Sequence, residues 1–182
     1  LNISNVPVIA SHSSSRPLCS SPRNLTDDML LALKANGGVI QICILSAYIK
    51  TPEPNPELQD MLLKLREKYG DPNALSEERR QEYRNERWNI QNKYRKLATV
   101  ADVVDHIDHV VQVAGIDHVG IGTDFDGGGG VDGCKTVAEM KNITRELLRR
   151  GYSRSEISKI WSGNIMRVFR EVEEKAAAPL SL

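Results

Sequence analysis

The chain has 182 residues, 40% apolar and 26% charged, with 24 lysines and arginines balancing 24 aspartates and glutamates. That length suits one ordinary domain or a sizeable piece of a larger one, and the apolar share excludes full disorder. Zero net charge argues against a nucleic-acid-coating surface or a polybasic membrane tether, and no apolar run of about 18 residues predicts a membrane-spanning helix. Three cysteines (Cys19, Cys43, Cys134) without CxxC spacing exclude a disulfide scaffold and a cysteine-type zinc knuckle. The first residue is Leu and no basic-then-apolar leader follows, so the chain reads as trimmed or cut from something longer.

In chain order, residues 6–10 (VPVIA) predict a first strand. Thr26 then caps a helix with Asp27 and Asp28 in its first turn, Met29, Leu30 and Leu33 as its apolar face and Gly37 as its stop. Residues 38–45 (GVIQICIL) predict a second strand, apolar enough to be covered on both faces, as in a parallel sheet. An excursion over 51–97 opens on the proline-rich TPEPNP and continues with two helical faces, Leu58 to Tyr69 and Tyr83 to Leu97. The clearest helical stripe is Val100, Val103, Val104, Ile107, Val110, Val111 and Ala114. Residues 118–122 (HVGIG) predict a third strand. Thr136 with Glu139 and Ser153 with Glu156 read as capping boxes for two last helical segments, and Gly163 is where the second would divide. Residues 175–182 read as a flexible tail. Alternating strands and helices imply parallel strands. A closed eight-stranded barrel needs about 250 residues, so three strands mean a small open sheet or part of a barrel.

In such folds functional side chains gather at the carboxyl ends of strands. After the first strand come His12 and, further on, Arg23. After the second comes Tyr48, and after the third Asp124 and Asp126 before four glycines. The bland readings are a loop histidine, an Arg23 paired with Asp27 or Asp28, a packing tyrosine and turn aspartates. Burying a carboxylate beside apolar strands is costly unless it is bonded, which favours a role for Asp124. A calcium loop at Asp124–Asp132 lacks its closing glutamate, and Gly133-Cys134-Lys135-Thr136 misses the phosphate-loop pattern by one residue. His106 and His109 read as solvated residues on a charged helix face, and His118 as structural.

PVIASHSSSR, SPRNLTDDML, VVDHIDHVVQVAGIDHVGIGTDFDG and SGNIMRVFREVEE, in this order, resemble the renal or membrane dipeptidase family of zinc metallopeptidases. The resemblance covers nearly the whole chain, and the insertion looks like that of bacterial members. It implies an α/β fold that is the C-terminal part of a (β/α)8 TIM-type barrel: three parallel strands, flanking helices and a helical insertion over 51–97. It implies zinc-dependent hydrolysis of dipeptides, with two zinc ions in the complete barrel. By the resemblance His12 is a metal ligand, Arg23 grips the substrate carboxylate, and Asp124 is a catalytic residue that also meets the substrate's amino group. Tyr48 lines the pocket. The strand before Tyr48 lacks the Asn-containing stretch of animal members. The family's HxD pair, bridging glutamate and earlier histidine ligand have no counterpart here, so the chain alone is expected to be inactive. The expected partner is a dipeptide, with no nucleic acid and no membrane span in this chain. Bacterial members are often exported, although nothing in the sequence shows a compartment. The alternative is a non-catalytic barrel half whose open strand edges bind a partner or a second copy.

Overall fold

A computed structural model describes residues 4–94 and 96–177. They fall into two compact units, one drawn from Leu1–Thr51 and Leu97–Leu182, the other Pro52–Lys96.

The first unit is built on a parallel sheet of β1 (Ile9–Ser13), β2 (Val39–Cys43) and β3 (Val119–Gly122), in the order β1-β2-β3. The first strand begins and ends later than residues 6–10, so His12 lies within it rather than after it. Strand β2 is buried along its whole length, which is why it reads as a continuous apolar run. Its faces differ. Ile40 and Ile42, followed by Ile44, join a core with Leu30 and Leu33 of α1 (Asp27–Ala35). Helix α2 (Ser46–Ile49) is a single short turn.

The opposite face of β2 carries Gln41 and Cys43, level with Gly120 and Gly122 of β3. A Cβ on Gly120 would lie 2.5 Å from the Gln41 amide, and one on Gly122 2.4 Å from the Ser11 carbonyl oxygen. These two glycines let β1 and β3 curl towards each other over Gln41, giving the sheet a concave inner face.

The second unit holds α3 (Pro56–Tyr69) and α4 (Glu77–Tyr94), joined by a 3-10 turn at Pro72–Ala74. Asn55 caps α3 by accepting from the Leu58 N–H, with proline at the first helical position. Tyr69 stacks edge-on against Tyr83 at 5.6 Å, Lys68 pairs with Glu86 at 2.8 Å, and Asn55 donates to the Tyr94 carbonyl, so the helices run antiparallel.

Back in the first unit, α5 (Val100–Val113) starts at a capping box of Thr99 and Asp102 and sends Val103, Val104, Ile107 and Val110 into the core. Thr136 and Glu139 do form a box, but it caps a 3-10 turn (Val137–Glu139) that leaves Val137 exposed. Helix α6 (Lys141–Arg149) begins two residues later and buries Ile143 and Leu147, with Leu148 outside. Met29, assigned to an apolar face by spacing, is also exposed, so that stripe is narrower than the spacing predicts. The last segment does not break at Gly163. Helix α7 (Arg154–Ser158) passes through a π-helical turn (Lys159–Gly163) into α8 (Asn164–Ala177). Asn164, at the exit of that turn, is buried and donates to the Ile116 and Val119 carbonyls, fixing α8 to β3. Residues 175–177 of the expected tail are helical, and 178–182 lie outside the described residues.

Together these elements make a mixed α/β arrangement of three parallel strands flanked by helices, a partial TIM-type barrel.

Candidate active site

The three strands are parallel and adjacent, so their carboxyl ends form one rim. Between Ala10 and Ser13 the register of β1 on β2 slips by one residue. A bulge of this kind re-aims a side chain, and here it holds Ser11 and His12. His12 is exposed, with Nδ1 2.8 Å from Ser11 Oγ and Nε2 3.1 Å from Arg23 Nη2. A guanidinium can only donate, so Nε2 presents the lone pair and Nδ1–H donates to Ser11. Arg23 therefore does not pair with Asp27 or Asp28; Asp27 is taken by His109, at 2.7 Å.

Arg23 belongs to a loop that leaves β1 and enters α1. Its own carbonyl accepts from Ser13 Oγ at 2.8 Å, and Arg16 ties the loop down through the Pro22 and Asn24 carbonyls. The buried Asn24 amide donates to the Cys19 carbonyl at 2.9 Å and the Tyr48 carbonyl at 2.7 Å, joining this loop to α2. Tyr48 then meets the Arg23 guanidinium carbon 5.9 Å from its ring centroid, within cation–π range.

Asp124 follows β3. It has φ of +53°, the one non-glycine residue with positive φ among those described. That conformation is uncommon for a side-chain-bearing residue and is tolerated best by Asn and Asp. Its carbonyl accepts from the Gly127 and Gly129 N–H groups at 3.1 and 2.7 Å, folding the glycine run beneath it. Its Oδ2 lies 3.8 Å from Cys43 Sγ on the inner face. Burial pushes the Cys43 thiol up to about 11; a Leu45 backbone hydrogen bond opposes this, Asp124 adds to it and the Arg23 charge counteracts it. The thiol thus stays protonated and donates to the carboxylate. The same balance puts Asp124 and Arg23 within electrostatic reach of one sulfur.

Of the five residues named at strand ends, His12, Arg23, Tyr48 and Asp124 make the contacts described here, and Asp126 lies in the turn that follows Asp124. His12, Arg23 and Tyr48 form a contact chain, and Asp124 contacts Cys43 at the neighbouring strand end. The reading of His106 as a solvated helix residue was wrong. It is fully buried, with Nδ1 2.9 Å from the Ser15 N–H and Nε2 2.8 Å from the Ile49 carbonyl. Its partners lie 91 and 57 residues away, which no helix-face count reveals. His118 is structural, bonded through Nδ1 to the Gly38 carbonyl at 2.8 Å.

Among the described residues no three His, Cys, Asp or Glu side chains are grouped to hold a metal ion. His12 presents one imidazole lone pair, engaged by Arg23. This donor set fits one ligand of a shared centre and does not make a metal site by itself.

The sequence profile of the membrane dipeptidases, peptidase family M19, matches residues 1–181. Dipeptidase ataJ of Aspergillus terreus is 35% identical over 175 residues, covering 96% of this chain and 33% of the relative. Dipeptidase tcpJ of Claviceps purpurea is 33% identical over 183 residues, with 100% and 33% covered. The crystal structure of the probable dipeptidase PvdM from Pseudomonas aeruginosa superposes with a TM-score of 0.76 at 39% identity, over 95% of this chain and 46% of that one. The chain spans about a third of the length of these two curated relatives.

Proposed function

The chain belongs to the membrane dipeptidase family, and from that we propose that it forms one side of a barrel that hydrolyses dipeptides with the help of bound metal. The observation that carries this reading is a cation and an anion on one rim: Arg23, steadied against Tyr48, and Asp124, held by Cys43. A dipeptide has a carboxylate at one end and an ammonium at the other. A planar guanidinium fork suits the first and a carboxylate the second. The spacing of the two groups then selects substrates by length.

Arg23 gives one N–H to His12 here, a contact that must release when His12 ligates a metal, and the rest of its fork is open to a carboxylate. Asp124 accepts the substrate's ammonium and can hold or pass a proton at Oδ1, the oxygen not bonded to Cys43. His12 would supply one imidazole to the metal centre, with the other ligands coming from outside these 182 residues. Zinc held there would acidify a coordinated water and polarise the scissile carbonyl. No helix among the described residues is long and apolar enough to cross a membrane.

The test has two arms. Incubated with zinc and Ala-Ala, the 182-residue chain should show at most trace turnover. In a dipeptidase barrel containing these residues, Arg23→Ala should raise KM by about 10- to 100-fold, the worth of hydrogen bonds to a charged group. Asp124→Asn should lower kcat by about 100-fold or more. Robust turnover by the chain alone, abolished by His12→Ala, would overturn the need for outside ligands. Unchanged kinetics in both barrel variants would instead favour a non-catalytic module.

A further inference from the structure

We infer that His106 is a positioning residue for the candidate site, fastening the His12–Arg23 loop to the Tyr48 helix through its two ring nitrogens. The inference deepens the function proposed above and rests on it.

His106 stands on α5, whose neighbouring Val103, Val104, Ile107 and Val110 are all in the core, so its base is rigid. The residue is 1% exposed. The Ser15 backbone can only donate to it, so Nδ1 is the unprotonated nitrogen; the Ile49 carbonyl can only accept, so Nε2 carries the proton. One neutral tautomer satisfies both contacts, and a protonated ring would lose the bond from Ser15. Burial, opposed by the Ile49 bond and by the Asp105 charge, moves the ring towards its neutral form.

What it joins gives the contact its meaning. Ser15 is three residues beyond His12, and Ile49 directly follows Tyr48. The side chain thus fixes the root of the loop bearing Arg23 and the end of the turn bearing Tyr48. Asn24 makes the parallel connection nearer the rim, from the same loop to the Tyr48 carbonyl. Between these two bridges the Arg23–Tyr48 contact is held in register. A site that binds a carboxylate through one guanidinium needs that placement, since displacements of about 1 Å can cost 10²-fold in rate.

The experiment compares His106→Leu, which fills the space without hydrogen bonds, with His106→Gln, which keeps an acceptor and a donor. In the wild-type 182-residue chain, imidazole ¹⁵N spectra should show His106 neutral with its proton on Nε2; a proton on Nδ1 would overturn the inference. In His106→Leu the signals of His12 and Tyr48 should shift while those of His118, bonded at the other end of the sheet, stay in place. His106→Gln should bring them back. A purely structural role would move His118 as well or lower the folded fraction without local shifts, and either result would overturn the inference. If His106→Leu does not fold, His106→Gln decides alone, by keeping or losing the wild-type His12 and Tyr48 signals.

In a dipeptidase barrel containing these residues, His106→Leu should raise KM about tenfold or more with kcat nearly unchanged. Shifted signals with an unchanged KM would refute the positioning role. An Arg23→Ala barrel that also keeps its KM would place the failure in the reading of Arg23 rather than in the clamp.

Discussion

The strand-bearing unit and the 52–96 hairpin are held together by opposite means. The first buries an unbroken apolar cluster from Leu30 to Ile160 and satisfies most of its buried polar groups with specific partners. The second has two buried apolar side chains among its described residues, Leu65 and Ile90, and spreads ion pairs over its surface. Surface pairs of this kind contribute little, whereas close-packed interiors respond to the loss of a methylene. Stability and the candidate site therefore reside together in the strand-bearing unit.

The two tryptophans allow the contrast to be tested, since Trp88 lies in α4 and Trp161 in the π-helical turn. Variants keeping one or the other report on one unit at a time. The largest effect should come from Ile42→Ala, which empties a fully buried position in the middle of β2. It should cost about 2–5 kcal/mol, read as a drop in the denaturation midpoint followed by Trp161. A loss below about 1 kcal/mol would mean that the core relaxes around the gap.

Mild acid should come next. Folding lowers the His106 pKa below its ordinary 6.5, so the unfolded chain binds a proton that the folded one resists. Stability is then complete above about 6.5 and falls as the pH drops below it. The hairpin contains no histidine. Its Glu86 is held below 4.5 by the Lys68 hydrogen bond, with burial opposing and Tyr69 assisting, so its stabilising share is lost only at lower pH. Denaturation at pH 7 and pH 5.5 should shift the Trp161 midpoint and leave the Trp88 midpoint in place; equal shifts would erase the distinction. The smallest effect should be that of Lys64→Ala, which removes an exposed pair with Asp60. A Trp88 midpoint that moved beyond experimental scatter would show that the hairpin depends on its charges.

What could be read from the residues follows the range of the forces involved. Capping at Thr26 and Ser153 is local, and the structure contains it. That His12, Arg23 and Tyr48 would lie close together was to be expected, because parallel strands send their carboxyl ends to one rim. The role of His106 was not: a polar residue on an amphipathic helix counts as solvent-facing until chain segments far away present an N–H and a carbonyl to it. The bulge that turns His12 and the left-handed backbone of Asp124 were hidden for the same reason. Neither leaves a periodic or compositional signal along the chain.

The wide turn at Lys159–Gly163 has a consequence for the direction in which α8 points. Its closing hydrogen bond runs from the Asn164 N–H to the Lys159 carbonyl, so it accommodates one residue more than an ordinary turn. Removing a single residue there would restore regular winding and swing everything beyond it by about 100°. The Asn164 amide would rotate off the Ile116 and Val119 carbonyls, and Arg167 would swing away from the Gly37 carbonyl that it now reaches. One surplus residue thus acts as the phase setting that lets the final helix lock onto the base of the sheet.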